Sequence, residues 1–159
     1  MKRITQILDD IRTQIINSQL IDDFCQLYYN KPIKVFLGAD VNDLPETSNC
    51  PFVMLGWKIG TVNEQNEQRL IDYEIFIFLC IFQTDIQNDD KGKKYNGEFE
   101  IDHLGQLIRQ EISKSVEAPI FFKEISTISV DEDLTLRKYP TFLNLLTAEI
   151  KIREDRRTR

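Results

Sequence analysis

Between residues 2 and 19, Ile4, Ile7, Leu8, Ile11 and Ile15 recur at three- and four-residue intervals, with Asp9, Asp10, Arg12 and Gln14 between them. That is the period of a helix buried along one side. Leu20, Phe24, Leu27 and Tyr28 keep a helical spacing, Asp22 and Asp23 can instead open a separate turn, and Pro32 ends the segment. The boundary near residue 20 stays open on this pattern. Ile33, Val35 and Leu37 alternate as a short strand, and Gly38 to Asn49, rich in Asp, Asn, Pro and Ser, reads as a surface loop.

Pro51 leads into a strand in which Val53, Leu55, Trp57 and Ile59 share a face, and Gly60 with Asn63 to Gln68 marks the turn out of it. The longest strand pattern follows, from Leu70 to Thr84. Ile71, Tyr73, Ile75, Ile77, Leu79 and Ile81 lie on one side, and Asp72, Glu74, Phe76, Phe78, Cys80 and Phe82 on the other. The second side changes from charged to apolar halfway along. Phe76, Phe78 and Phe82 therefore need cover, either from the chain's own elements or from a neighbouring subunit, and they are the candidate subunit interface.

Residues 85–97 form a polar stretch almost without core-forming side chains and read as a loop longer than the connections usual in a compact domain. Asp85, Asn88, Asp89, Asp90, Lys91, Lys93, Lys94 and Tyr95 are its candidate partner-contact residues. Glu98, Glu100 and Asp102 suit the positive end of a second helix whose stripe is Ile101, Leu104, Ile108, Ile112 and Val116, with Pro119 as its stop. Ile120 to Val130 reads as a strand and Asp131 to Lys138 as a charged turn. Phe142, Leu146, Ala148, Ile150 and Ile152 make a closing strand with one wet face. The expected fold is α+β, a mainly antiparallel sheet with two principal helices packed on one face. Residues 1–152 are expected to form a single domain, with 153–159 a frayed basic tail.

A chain of 159 residues, 42% hydrophobic and 29% charged, is large enough to bury its own core. Cys25, Cys50 and Cys80 sit far apart in apolar stretches without C-x-x-C spacing and read as reduced core residues of a cytosolic protein. Lys2 and Arg3 precede an amphipathic segment interrupted by acids, so no export signal is expected; the eight-residue run Ile75–Phe82 is too short to cross a membrane. The net charge is −6, and the tail from Arg153 to Arg159 carries four arginines against Glu154 and Asp155, which leaves −8 on residues 1–152. Such a body repels a phosphate backbone, so no stable nucleic-acid binding is expected.

Catalytic motifs are sparse. His103 is the single histidine, which excludes multi-histidine metal sites and leaves one candidate base; its place on the second helix fits a surface or interface residue better. The six glycines form neither G-x-G-x-x-G nor a P-loop, and no nucleophile motif accompanies a serine or cysteine. Aligning Gly92 with the sixth position of an EF-hand loop places Glu98 twelfth, but it also places Gln87 first and the cation of Lys91 fifth. A solvated hairpin loop accounts for those residues better. The pairs Asp9-Asp10, Asp22-Asp23 and Asp89-Asp90 are adjacent, so on a helix their carboxylates would diverge by about 100°. No catalytic, cofactor or metal residue is assigned, and the chain is read as a non-enzyme that binds other subunits.

In outline the chain resembles the small tail-terminator and tail-completion proteins of long-tailed bacteriophages, the minor tail protein U type. The resemblance lies in the amphipathic first helix and the Pro-led strand Cys50-Pro51-Phe52-Val53-Met54-Leu55. It continues in the long apolar strand with its following loop, the second helix, and the closing strand introduced by Tyr139-Pro140-Thr141-Phe142. It implies a hexameric ring that caps the tail tube, stops its polymerisation and offers a surface for head joining. The implied partners are further copies of the chain, the tail tube protein and head-tail connector proteins; the implied location is host cytoplasm during assembly, then the virion tail. Another neck or baseplate component, or a small enzyme or ligand-binding domain using His103 and the acids, are the alternatives.

Overall fold

The computed structural model describes residues 3–38, 43, 45–65, 68–114, 120–122 and 139–155. Helix α1 spans Ile4–Asn17 and buries the predicted stripe Ile4, Ile7, Leu8, Ile11 and Ile15. Its first turn is tied back by Gln6, whose side-chain oxygen accepts from the Arg3 backbone N–H at 2.8 Å. The helical pattern does not run on unbroken. Ser18 takes an extended conformation, and its Oγ accepts from the Ile21 N–H at 3.3 Å, capping a second helix, α2, Gln19–Tyr29. Asn30 ends α2 in the left-handed conformation at φ 53°. Among the described residues α2 thus stands as a helix beside the two expected principal ones, because a serine at the break supplies the cap that a separate helix needs.

Strand β1, Lys34–Leu37, pairs parallel with β2, Phe52–Gln65, after a crossover that includes a 3-10 turn at Thr47–Asn49. β2 and β3, Gln68–Phe82, form an antiparallel hairpin from Phe52↔Cys80 to Gln65↔Gln68, with a register shift between Ile59 and Val62. The polar loop expected over residues 85–97 contains two short strands of its own. They form a hairpin of β4, Ile86–Asp89, and β5, Gly92–Tyr95, turning at Asp90-Lys91 with Gly92 at φ 150°, and they lead directly into α3, Asn96–Ser113. β6 is Ile120–Phe122, and β7, Thr141–Asp155, pairs along the whole of β3 from Phe82↔Thr141 to Gln68↔Asp155. The main sheet has the order β1-β2-β3-β7-β6, antiparallel except at β1, and the fold is α+β.

Arg153 to Asp155 belong to β7, opposite Leu70, Arg69 and Gln68, so the ordered unit reaches past the expected boundary at 152. Residues 123–138, Val116, Pro119 and the last four residues lie outside the described residues, as do the strand continuation and charged turn expected there.

All three helices lie on one face of the sheet. Their stripes pack against Val35, Val53, Leu55, Ile75, Ile77, Leu79, Ile81, Phe142, Leu146 and Ile150 in the main core. At about 25 cal/mol per Å² of apolar surface, this continuous layer is the chief favourable term in folding. The opposite face carries a smaller buried cluster of Cys50, Phe52, Met54, Phe78 and Cys80, flanked by Phe36, Leu143 and Leu145. The Phe36 and Phe52 rings meet edge to face at 5.8 Å.

Candidate interaction surfaces

The three phenylalanines on the second face of β3 have different surroundings. Phe78 is buried in the smaller cluster at 2% exposure, Phe76 is half-buried, and Phe82 is exposed at 42%. Lys58 lies 5.4 Å from the centroid of the Phe76 ring while pairing with Glu74 at 3.3 Å, so this face is partly shielded by the chain itself. Of the expected interface residues, Phe82 alone offers a large apolar surface.

A more extended apolar surface lies along β2. Val53 and Leu55 are fully buried, but Trp57, Ile59 and Val62 are exposed at 42%, 48% and 39%, and Leu37 at the end of β1 at 50%. The alternating pattern assigns Trp57 and Ile59 to the core side, and they do face that side; the helix layer does not reach over them. The Trp57 ring leans edge-on against Tyr73 at 5.6 Å, which holds the indole in place at the surface. Beside it, Thr5, Leu8, Leu37, Gly38, Leu55, Gly56 and Trp57 line a hollow of about 380 Å³.

Among the described residues, no strand pairs with the outer edge of β2 beyond Leu55. β1 pairs only as far as Leu37↔Leu55, and the Leu55 carbonyl accepts from the Gly38 N–H at 2.6 Å. Leu55 therefore points its main-chain groups away from β3. Because these groups alternate along an antiparallel strand, those of Trp57 and Ile59 point the same way, to an edge where no strand lies among the described residues. An open edge flanked by apolar side chains is a template for pairing with another chain. Sequence reasoning missed it, since the pattern assigns faces to side chains but not the length of the neighbouring elements.

The candidate contact residues of 85–97 sit on the small hairpin. Asp85, Asn88, Asp89, Asp90, Lys91, Lys93 and Lys94 are exposed, and Tyr95 is half-buried. The base of the hairpin is pinned: Tyr95 meets the Tyr139 ring at 5.4 Å, and the Tyr139 hydroxyl donates to the Thr84 carbonyl at 3.0 Å. At its tip the Lys91 N–H donates to Asp89 Oδ1 at 2.8 Å, and the Lys94 ammonium lies 4.5 Å from the ring centroid of exposed Phe99.

The residues considered for chemistry are dispersed. His103 is exposed on α3, its ring edge-on to Phe24 of α2 at 5.0 Å, where it serves helix packing. Among the described residues no three His, Cys, Asp or Glu side chains are grouped to hold a metal, and no described helix is long and apolar enough to cross a membrane. The one buried carboxylate among the described residues, Glu100, accepts from Gln83 Nε2 at 2.9 and 3.3 Å. Near it the Tyr29 hydroxyl is buried without a hydrogen bond of normal geometry, and burial first, then the Glu100 charge, push its ionisation upward.

Cys25 is fully buried on the helix side, and burial, reinforced by Asp22, raises its thiol from 9.0 to about 12. Cys50 and Cys80, read as separate core residues, are brought together on the opposite face with their sulfurs 3.4 Å apart. The contact favours the Cys50 thiolate, with further help from the Lys31 charge, and it holds Cys80 protonated.

No family model matches the chain, and no curated protein matches its sequence.

Proposed function

We propose that this chain is a non-enzymatic structural subunit of a phage or prophage tail, forming a ring that caps the tail tube, stops its polymerisation and presents a surface for head joining. The observation that carries the subunit-binding part is the open edge of β2, with Trp57, Ile59 and Val62 exposed beside it. Backbone groups at such an edge provide affinity, and alternate side chains provide specificity. The tail assignment rests on the layout resemblance, which extends over nearly the whole chain. Exposed Phe82 adds a second apolar contact, and the small hairpin offers a polar projection to the tube or to a head-tail connector protein. An acidic lining would let DNA pass through the ring without adhering. The protein would act in host cytoplasm during assembly and remain in the virion tail.

The test combines light scattering over a range of concentrations with electron microscopy of purified tail tubes incubated with the protein. Rings, hexameric in the simplest case, seated on one tube end and halting extension are expected. Rings that ignore tubes but bind neck or baseplate parts would move the assignment to another assembly component. A monomer at every concentration, with no effect on tubes, sinks the proposal.

A further inference from the structure

The structure assigns Cys50 and Cys80 as a dithiol that closes into an intrachain disulfide on oxidation, stapling the segment that leads into β2 to the end of β3. The sulfurs stand 3.4 Å apart, against about 2.05 Å in a disulfide, so bond formation needs a further approach of about 1.4 Å between two neighbouring chain segments. The register makes the approach systematic. Cys80 lies opposite Phe52, so Cys50, two residues earlier, reaches it diagonally across the hairpin. Both thiols are buried, at 4% and 3% exposure, among Phe52, Met54 and Phe78. Cys25 belongs to the core on the other side of the sheet and cannot compete.

The oxidant is a small-molecule disulfide such as oxidised glutathione. Cys50 is the first nucleophile: it sits at the end of the crossover, just after the turn Thr47–Asn49, and its thiolate is the favoured one of the pair. Its sulfur attacks one reagent sulfur, breaking that S–S bond and releasing one thiolate. Cys80 then gives up its proton and attacks the Cys50 sulfur, expelling the second reagent thiolate. Two protein thiols are oxidised, one reagent disulfide is reduced to two thiols, and the thiol protons leave with them. Burial makes the first step depend on local opening at Cys50, so the pair stays reduced under reducing conditions and closes after prolonged exposure to an oxidising medium. The link constrains the unfolded chain by joining positions 30 residues apart. It does not depend on the proposed role in assembly.

The full-length native protein, incubated with oxidised glutathione, acid-quenched and alkylated in denaturant, tests this by intact mass and peptide mapping. Two of the three thiols should be lost, with the Cys50 and Cys80 peptides joined, Cys25 fully alkylated and Tm raised. Cys80→Ser, which removes the resolving thiol, should accumulate a glutathione adduct on Cys50. A link to Cys25, a persistent adduct on wild-type Cys50 beside a free Cys80, or survival of all three thiols would overturn the inference. An adduct on Cys80 in Cys50→Ser, with none on Cys50 in Cys80→Ser, would overturn the order of attack.

Discussion

Gly97 leaves no room for a side chain in the first turn of α3: a Cβ built there would overlap the Cδ2–Cε2 edge of the Phe142 ring. Replacing glycine by alanine inside a helix ordinarily gains up to about 1 kcal/mol. Here the overlap involves a ring that is itself buried, so overpacking should win and Gly97→Ala should destabilise by about 1–3 kcal/mol. Urea denaturation checks the sign, and Phe142→Leu in the same chain should recover part of the loss. A stabilised Gly97→Ala would mean that the helix does not approach β7 so closely. Cys25 supports a prediction in pH. Its folded-state ionisation is raised from 9.0 to about 12 by burial and then by Asp22. The unfolded chain therefore loses this proton first. The stability contribution is fully present below about pH 9 and is lost as pH rises toward 12, at a limiting slope of about 1.4 kcal/mol per unit for one such group. Denaturation midpoints measured from pH 8 upward should fall more steeply for the wild type than for Cys25→Ala. Parallel profiles would show that Cys25 does not ionise differently in the two states.

At the level of elements, legibility followed the strength of the repeating pattern. The stripe of α1 and the double alternation of β3 leave few other arrangements, since a change of period or a slip of one residue would put a row of isoleucines in water. α2 was less certain because its residues share the spacing of α1, and only the Ser18 side chain distinguishes one helix from two. The β4–β5 hairpin gave no alternation to read: Gln87, Asn88, Lys93 and Lys94 are polar whichever way they point. It is specified by the turn at Asp90-Lys91 and by aromatic contacts made over 40 residues away in sequence, at Tyr139. The Cys50–Cys80 contact was not recoverable, because it depends on the register shift between Ile59 and Val62: an unbroken hairpin continuing from Gln65↔Gln68 would set Val53, not Phe52, opposite Cys80 and turn Cys50 to the other face. Nor was the open edge, because it depends on where β1 and the helices stop. A two-stranded ribbon outside the main sheet is only marginally stable by itself. Amide hydrogen exchange in the free protein should therefore be much faster at Asn88–Lys94 than at Ile75–Ile81 of β3. If the hairpin contacts a partner, its amides should slow on binding; equal protection of both segments in the free chain would contradict the first expectation, and no slowing on binding the second.

At the scale of the molecule, the issue is how subunits with a net charge of −6 each come together. Like-charged subunits repel, and salt screens that repulsion over about 10 Å at 0.1 M, whereas apolar contacts and backbone pairing are not weakened by it. Association through the β2 edge should accordingly strengthen as salt rises. The relevant side chains differ in what they can reveal. Ile59, at 48% exposure, and Phe82, at 42%, can be changed without emptying the core, while Phe78, at 2%, cannot. Full burial of an isoleucine or phenylalanine is worth about 1.5–3 kcal/mol, so covering the exposed half of either contributes roughly 1 kcal/mol per contact, about fivefold in affinity. A charge introduced there must also be desolvated or repelled, which should bring the loss to at least about tenfold. Ile59→Lys and Phe82→Asp should keep a cooperative unfolding transition with modestly changed stability, whereas Phe78→Asp should abolish folding by burying an unpaired carboxylate. Light scattering on the two folded variants then separates the surfaces. Ile59→Lys weakening association more than Phe82→Asp would place the contact on the β2 edge, and the reverse would place it at the end of β3. If both variants associate like the wild type at every salt concentration, neither apolar surface holds the subunits together, and the assembly role must rest on other parts of the chain.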